Sequence, residues 1–313
     1  MIFVIGDIHG MYDPLKVLTD YIYNKAIKQE TVSKIIFLGD YIDCGPSSKE
    51  VVDLILRLKH DFEVVTLLGN HEEMLLSFVN RTFNYLKVGN YWLSYNGGLQ
   101  TVNSFYPGSV LFKKDQYPDE KTVSDLLHFD DILKLDQPYA EFFENLLSTY
   151  QVTLEQGEKQ CDLLFSHSAI SPRFSLVEQI AIRNWKELHE FITRNGCDLE
   201  ETHIWNRQLL TQQLRENLIL IHGHTPTKYY RQMTKMLRFW EEEEDTPYVV
   251  REKKNRQLVQ IDIDTGLIYG GALSMLVIDD APDAVNTFPY YISVDPKRGF
   301  RHKQFSKTEL DLM

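Results

Sequence analysis

The sequence predicts an α/β fold, a buried central sheet covered by helices. Short apolar runs recur at residues 2–5, 35–38, 64–68, 163–165 and 218–221. Segments of helical spacing separate the first three, and such alternation is the pattern of a sheet with helices on its faces. Each run is followed at once by a cluster of Asp, Asn or His: Gly6-Asp7-Ile8-His9-Gly10, Gly39-Asp40-Tyr41-Ile42-Asp43, Gly69-Asn70-His71-Glu72, Ser166-His167 and His222-Gly223-His224-Thr225. The clusters are thereby delivered to the edge beyond the carboxyl ends of the strands, where open α/β sheets bind ligands.

The elements follow in order. Residues 2–5 read as a first strand rather than a signal peptide, because no basic segment precedes them. Asp13-Pro14 reads as a helix start with Asp13 as N-cap, and Leu15, Leu18 and Ile22 share one helical face. Residues 34–38 form a second strand. Ser47-Ser48-Lys49-Glu50 reads as a capping box opening a helix whose buried stripe is Val51, Leu54, Ile55 and Leu58. Strand, motif and helix repeat after Gly69-Asn70-His71. Residues 78–150 read as a mostly helical insertion beside the active-site edge, and 227–257 as a loop or hairpin insertion with the acidic run 241–245. Residues 258–263 and 273–278 are late strands, joined through Asp264-Thr265-Gly266 and Gly270-Gly271. Lys297, Arg298, Arg301 and Lys303 suggest a polar tail. The expected division is a catalytic domain over 1–280 and a C-terminal extension over 281–313.

The bulk properties set bounds. The 313 residues are 43% hydrophobic and 25% charged, with a net charge of −12. An acidic chain is poorly suited to tracking nucleic-acid backbones, which takes clustered Lys and Arg. It still admits a phosphorylated substrate, since bound cations reverse the local field. No apolar run reaches about 18 residues, so no membrane partner is expected. Cys44, Cys161 and Cys197 are odd in number and widely spaced, which excludes a structural zinc pattern and suggests a reducing cytoplasm.

The donors suggest the chemistry. Asp7 and His9, two apart, can face one ion, and a carboxylate with an imidazole suits Mn, Fe or Zn. Asp40 can give one oxygen to each of two ions, Asn70 offers an amide oxygen, and His167 and His224 complete the second set. That is too many donors for one ion. A two-metal site is the natural reading, and its usual chemistry is phosphate-ester hydrolysis. His71 lies next to Asn70 without needing to bind a metal. Asp43 could hold its imidazole by a hydrogen bond and favour the protonated form that a general acid requires.

These motifs, in this order, resemble the phosphoprotein phosphatase branch of the calcineurin-like metallophosphoesterases, of the bacterial serine/threonine protein phosphatase type, over about residues 1–280. The resemblance implies a β-sandwich flanked by helices, four layers α/β/β/α, with two divalent ions, Mn first and Fe or Zn as alternatives. It assigns Asp7, His9 and Asp40 to one ion and Asp40, Asn70, His167 and His224 to the other. It makes His71 the general acid, Asp43 its partner, and Arg207, in Trp205-Asn206-Arg207, a phosphate contact together with Asn70. Two positions depart from the pattern. Cys44 and Leu68 stand where the family has arginines that clamp phosphate oxygens in bidentate fashion. Cys44 could also sensitise the site to oxidation, since a thiol near two cations loses its proton more readily.

The leading expectation is a serine/threonine protein phosphatase acting on a phosphorylated protein or small phosphoester. The alternative is a dinucleoside polyphosphate hydrolase resembling the symmetrical diadenosine tetraphosphatases, whose matching segment shares Gly45-Pro46; Glu72 and Asp43 favour the phosphatase. A third reading is a weakly catalytic regulator that binds metal and phosphate. Oligomeric state is left open.

Overall fold

Two sheets stack through a shared apolar layer, and β1 (Ile2–Ile5) shows how the sequence specifies it. Side chains alternate across a strand. Ile2 and Val4 face the layer between the sheets, Phe3 and Ile5 face the helices, and all four are buried. The computed structural model describes residues 1–28, 32–82, 85–107, 135–156, 159–210, 212–235, 246–252, 257–280 and 290–304.

β2 (Lys34–Phe37) and β3 (Val64–Thr66) continue β1 in parallel, reached through helices α1 (Tyr12–Ile27) and α2 (Ser48–Asp61). On the other side of β1 lie β9 (Leu273–Ile278), β10 (Tyr290–Asp295) and β11 (Gly299–Gln304), all antiparallel. The six-stranded order is β11-β10-β9-β1-β2-β3. The second sheet joins β4 (Thr149–Gln156), β5 (Lys159–Ser166), β6 (Leu218–His222), β8 (Leu258–Asp262) and β7 (Tyr248–Arg251) in that spatial order, with β5, β6 and β8 parallel. Ile36 and Leu38 meet Leu163, Phe165, Ile219 and Ile221 between the sheets. Burying one such side chain stabilises the fold by about 1.5–3 kcal/mol. The outer face of the second sheet, through Leu164, Leu218 and Leu220, is covered by Ala169, Ile170 and α7 (Leu176–Ile180). The expected sandwich with outer helices is the architecture observed.

α3 (Asn70–Val79) follows the third motif. Helices α4 (Tyr85–Tyr95), α5 (Gly98–Phe105) and α6 (Gln137–Glu144) occupy the described part of the first insertion, and α8 (Trp185–Asn195) lies beyond β5. Several local readings change. α1 begins at Tyr12, with Met11 as N-cap and no side-chain bond. Asp13 instead lies in the first turn, where a negative charge still complements the helix dipole. Ser47 caps α2 without a side-chain bond, so no capping box forms. Its N–H donates to Gly10 O, and Ser48 Oγ is taken by the Asp43 N–H. Tertiary partners in the motif loops thus replace the local cap. The supposed polar tail is the β10–β11 hairpin. Its buried residues, Tyr291 in the layer between the sheets and Ile292 and Val294 on the helix side, are obscured in sequence by the charged residues of the edge strand β11. The second insertion supplies α9 (Thr227–Lys235) and β7; the acidic run 241–245 lies outside the described residues.

Candidate metal centre

All five motifs leave their strands at one edge and turn sharply. Among the described residues, five of the seven non-glycine residues with positive φ are His9 (48°), Asp40 (52°), Asp43 (73°), Cys44 (61°) and His224 (71°). Each such backbone costs on the order of 1–3 kcal/mol, and such strain clusters at functional sites. Two glycines make room for carboxylates. A Cβ on Gly69 would stand 2.2 Å from Asp40 Oδ1, and one on Gly223 would stand 2.1 Å from Asp7 Oδ1.

Asp40 lies at the centre. His9 Nε2 is 3.5 Å from its Oδ2 and His167 Nε2 is 3.4 Å from its Oδ1, so its two oxygens face two sets of donors. Three imidazoles are fixed by backbone carbonyls, which can only accept. His9 Nδ1 donates to Ile42 O at 3.2 Å, His167 Nδ1 to Leu38 O at 2.9 Å and His224 Nε2 to Trp205 O at 3.1 Å. The opposite nitrogen of each neutral ring is then a bare lone pair. Two of these lone pairs, His167 Nε2 and His224 Nδ1, lie 2.8 and 2.9 Å from the same acceptor, Asn70 Oδ1. Burial pushes the His9, His167 and His224 rings well below the usual imidazole range, which keeps them neutral.

Acceptors packed against acceptors suit a cation. Asp7 makes the same point. It is 3% exposed, and its Oδ1 has no hydrogen-bond partner. Burial, then the charges of Asp264 and Asp40, push its carboxyl well up. Two groups of described side chains could each hold a metal ion: His9, Asp40 and His71; and Asp40, His167 and His224. Asp7 and Asn70 border them, Asp7 through the His224 N–H at 2.9 Å and Asn70 through the contacts above. The residues present fit divalent cations, with oxygen and imidazole nitrogen donors and no thiolate.

His71 is held differently. Its Nδ1 lies 2.6 Å from Asp43 Oδ2, while its Nε2 is 3.9 Å from Asp40 Oδ2. Asp43 is fully buried and also accepts from Trp92 Nε1 at 2.7 Å and Thr101 Oγ1 at 2.5 Å. Burial, then Arg207, push the His71 ring down to about 3, and burial pushes Asp43 up. A proton placed across the 2.6 Å contact sits either on Asp43 Oδ2 or on His71 Nδ1. With that proton in place, Nε2 carries a hydrogen whichever partner holds the shared one.

Arg207 is exposed at the lip, its Nη1 near His224 O and Thr225 Oγ1 at 3.5 and 3.4 Å. Leu68 is buried in the helix-facing core and points no donor at the site. Cys44 is half-buried against Gly97. In the metal-free protein burial, then Asp43 and Asp40, push its thiol up to about 12.

The supporting roles of four residues escaped the sequence reading. The buried Glu72 carboxylate accepts the N–H groups of Asp40, Tyr41, Ile42 and Gly69 at 2.8–3.3 Å and so shapes the bridging turn. Trp92 and Thr101 come from the first insertion. Asp264 sits beside Asp7 from the β8–β9 connection, where its Asp-Thr-Gly context reads as an ordinary turn.

The buried acids give the metal-free protein a pH dependence. Burial raises Glu72 from 4.5 to about 7 and Asp264 from 3.8 to about 6. The folded state therefore binds protons that the unfolded chain has released, and stability falls as pH rises between the unfolded and folded values. The buried neutral His9, His167 and His224 work in the opposite sense up to about pH 6.5. Urea midpoints of chelated protein should therefore drop above that, between about pH 7 and pH 8, and saturating metal should flatten the trend. A midpoint that rises over this range would contradict the raised values.

Residues 1–228 match the calcineurin-like phosphoesterase family. The chain belongs to that family. Among curated relatives of this calcineurin-like phosphoesterase, an asymmetrical bis(5'-nucleosyl)-tetraphosphatase of Anoxybacillus flavithermus is 20% identical over 87% of this chain and 88% of its own. A symmetrical bis(5'-nucleosyl)-tetraphosphatase of Wigglesworthia glossinidia brevipalpis is 45% identical over 24% of this chain and 25% of its own. A protein phosphatase 2A catalytic chain of Dictyostelium discoideum is 30% identical over 41% of this chain and 48% of its own. Among solved structures, a cold-active protein tyrosine phosphatase superposes with a TM-score of 0.51 at 14% identity, covering 96% of this chain and 78% of that one. This last likeness concerns the fold alone. No helix among the described residues is long and apolar enough to cross a membrane.

Proposed function

We propose that this calcineurin-like phosphoesterase hydrolyses phosphate monoesters with two divalent ions, Mn²⁺ first. Asp7, His9 and Asp40 would hold one ion, and Asp40, Asn70, His167 and His224 the other. Phosphorylated serine or threonine side chains are the leading substrate class. The observation that carries the reading is the His71–Asp43 pair, locked by Trp92 and Thr101 beside the donor groups around Asp40. Bound divalent ions supply a water that ionises near neutral pH and a positive clamp on phosphoryl oxygens.

The chain's own residues do the rest. His71 Nε2–H gives its proton to the departing oxygen, and the Asp43 carboxylate holds the ring for that transfer. Arg207 orients the phosphate from the lip, and Asn70 places its amide between the second set of donors and the phosphate. Glu72 keeps the Asp40 turn rigid, so the bridging carboxylate arrives already oriented.

A second reading, hydrolysis of dinucleoside polyphosphates, is favoured by the near full-length match to the Anoxybacillus relative and by Cys44 and Leu68 at the two clamp positions. A panel of a phosphoserine peptide, diadenosine tetraphosphate and p-nitrophenyl phosphate, with added Mn²⁺, decides. The peptide should turn over with the higher kcat/KM. A preference for the tetraphosphate replaces the first reading with the second, and no turnover of any ester removes both.

Cys44→Arg tests the missing clamp. A planar guanidinium offers the phosphate a fork of donors that a thiol lacks. KM for phosphomonoesters should fall by the equivalent of about 1–2 kcal/mol with little change in kcat, as for a contact made equally in ground and transition states. If the natural substrate fills that space, KM for it rises while p-nitrophenyl phosphate still gains. An unchanged KM on every substrate would show that position 44 does not face the phosphate.

A further inference from the structure

The β10–β11 hairpin ends on a basic tip that the metal centre does not use. Over residues 297–303 the chain has Lys297, Arg298, Arg301 and Lys303 and no acid, against a net charge of −12 for the whole. The tip is held in shape by one inward-turned carboxylate. Asp295 is 4% exposed, and its Oδ1 accepts the N–H groups of Lys297 and Arg298 at 2.7 and 3.1 Å. Its Oδ2 lies 3.5 Å from Arg298 Nε, and its carbonyl accepts the Arg298 N–H at 3.2 Å. Gly299, at φ 82°, turns the chain back into β11. No described atom lies within 4 Å of where a Gly299 Cβ would stand. Lys297 and Arg298 are both exposed, so the tip presents its cations to open space.

The strand ladder places this tip along the motif edge. Ile5 pairs with Met275, and Met275 with Ile292. The register holds into the first motif, where the Gly6 N–H donates to Ser274 O at 3.2 Å. One residue further along each strand, Asp7, Leu273 and Val294 stand at one level, and Val294 pairs with Phe300. Lys297 and Arg298 lie just beyond that level. Three strand spacings separate β1 from β11, about 14 Å in all. An extended chain advances about 3.3 Å per residue, so about four residues bridge the gap. Charges within an edge strand also guard it against stray pairing, which accounts for Arg301 and Lys303. It does not account for Lys297 and Arg298, which lie outside the ladder, whose last pair is Asp295 with Gly299.

We propose that Lys297 and Arg298 dock an acidic stretch of a substrate polypeptide, about four residues from the phosphorylated side chain in the metal centre. Two cations on a narrow tip suit a short acidic stretch, whereas tracking a nucleic-acid backbone takes a basic groove. Exposed charges at a rim govern encounter and discrimination more than tight binding, so the tip sorts phosphoproteins by what flanks the phosphate. The proposal rests on the phosphoester reading of the centre but concerns the polypeptide around the phosphate. Binding of unreactive probes therefore tests it apart from turnover.

Fluorescence anisotropy on the metal-loaded full chain would compare peptides of equal length, each carrying a non-hydrolysable phosphonate analogue of phosphoserine. One peptide is otherwise uncharged, one has glutamates about four residues before the phosphonate, and one has them about four residues after it. At low salt one of the acidic peptides should bind about 5- to 20-fold more tightly than the uncharged one, the scale of a few exposed charge pairs. That advantage should vanish at about 1 M salt, where screening acts within about 3 Å. Lys297→Ser with Arg298→Ser should bring the ratio to about one. Lys297→Glu with Arg298→Glu should reverse it in favour of a lysine-flanked peptide, a gain that a misfolded tip could not give. No acidic advantage in the unaltered protein, or one that survives both double variants, overturns the proposal. A single-stranded oligonucleotide that binds more tightly than either acidic peptide, and loses that binding in the serine variant, overturns it in favour of nucleic acid. A protein that discriminates through the tip yet hydrolyses no ester would overturn the hydrolase reading and leave the docking tip standing.

Discussion

Exhaustive chelation should lower phosphoester hydrolysis by at least about 10³-fold, and added Mn²⁺ should restore it. The size follows from several kcal/mol of transition-state charge stabilisation, at about 1.4 kcal/mol per factor of ten. The motivation is the set of lone pairs with no hydrogen among them: Asn70 Oδ1 against His167 Nε2 and His224 Nδ1, with Asp7 Oδ1 orphaned nearby. Asp40→Asn should approach the same loss without chelator, because its carboxylate faces both donor sets. Metal analysis of that variant should show less than the two ions per chain expected of the unaltered protein. Full activity after chelation, with metal analysis confirming removal, would sink the two-metal reading.

His71→Asn should lose about 10²–10⁴ in kcat on esters with poor leaving groups, the usual scale of general acid catalysis. A phosphoserine peptide shows the full effect, because its alkoxide must be protonated as it departs. p-Nitrophenyl phosphate suffers much less, because its phenolate leaves unaided. Metal content should stay at the unaltered level, since three other histidines present the fixed lone pairs. Trp92→Phe offers a graded version. It removes one of the bonds to Asp43 Oδ2 and should weaken the poor-leaving-group reaction more than the good one, through loss of ring orientation. Equal losses on both substrates in His71→Asn would remove His71 from the acid role. Loss of metal would instead make it a ligand, which the grouping of His71 with His9 and Asp40 leaves as the competing outcome.

The local chain order determined a good deal by itself. β1 was legible because residues 2–5 are apolar throughout, the pattern of a strand buried on both faces. The motif residues were legible because each follows such a strand directly; the strands prove to lie in two sheets, β1, β2 and β3 in one and β5 and β6 in the other, whose carboxyl ends share an edge. Hence Asp7, His9, Asp40, Asn70, His71, Asp43, His167 and His224 could be named together, and the structure gathers them around Asp40. Helix starts were less legible. The Ser47–Glu50 pattern fits a capping box, but Gly10 O takes the Ser47 N–H that Glu50 would accept, because a bond to the motif loop fixes both the helix and the site.

Only the tertiary structure decided what surrounds the ligand set. Nothing near Trp92 or Thr101 in sequence ties them to Asp43; that contact exists because α4 and α5 fold back over the motif loop. The four backbone donors gathered by Glu72 are likewise set by the packing of α3 against the β2 turn. The β10–β11 hairpin looked polar because an edge strand faces water on one side, and only its pairing with β9 reveals the buried half. Cys44 shows the same division. Without bound metal, burial, then Asp43 and Asp40, push its thiol up, a setting its sequence neighbours do not reveal. Which side chains reach the sheet edge follows from the sequence alone, because alternation and strand order are local. Their protonation and their orientation follow from long-range packing, because burial and charge are properties of everything that surrounds a group.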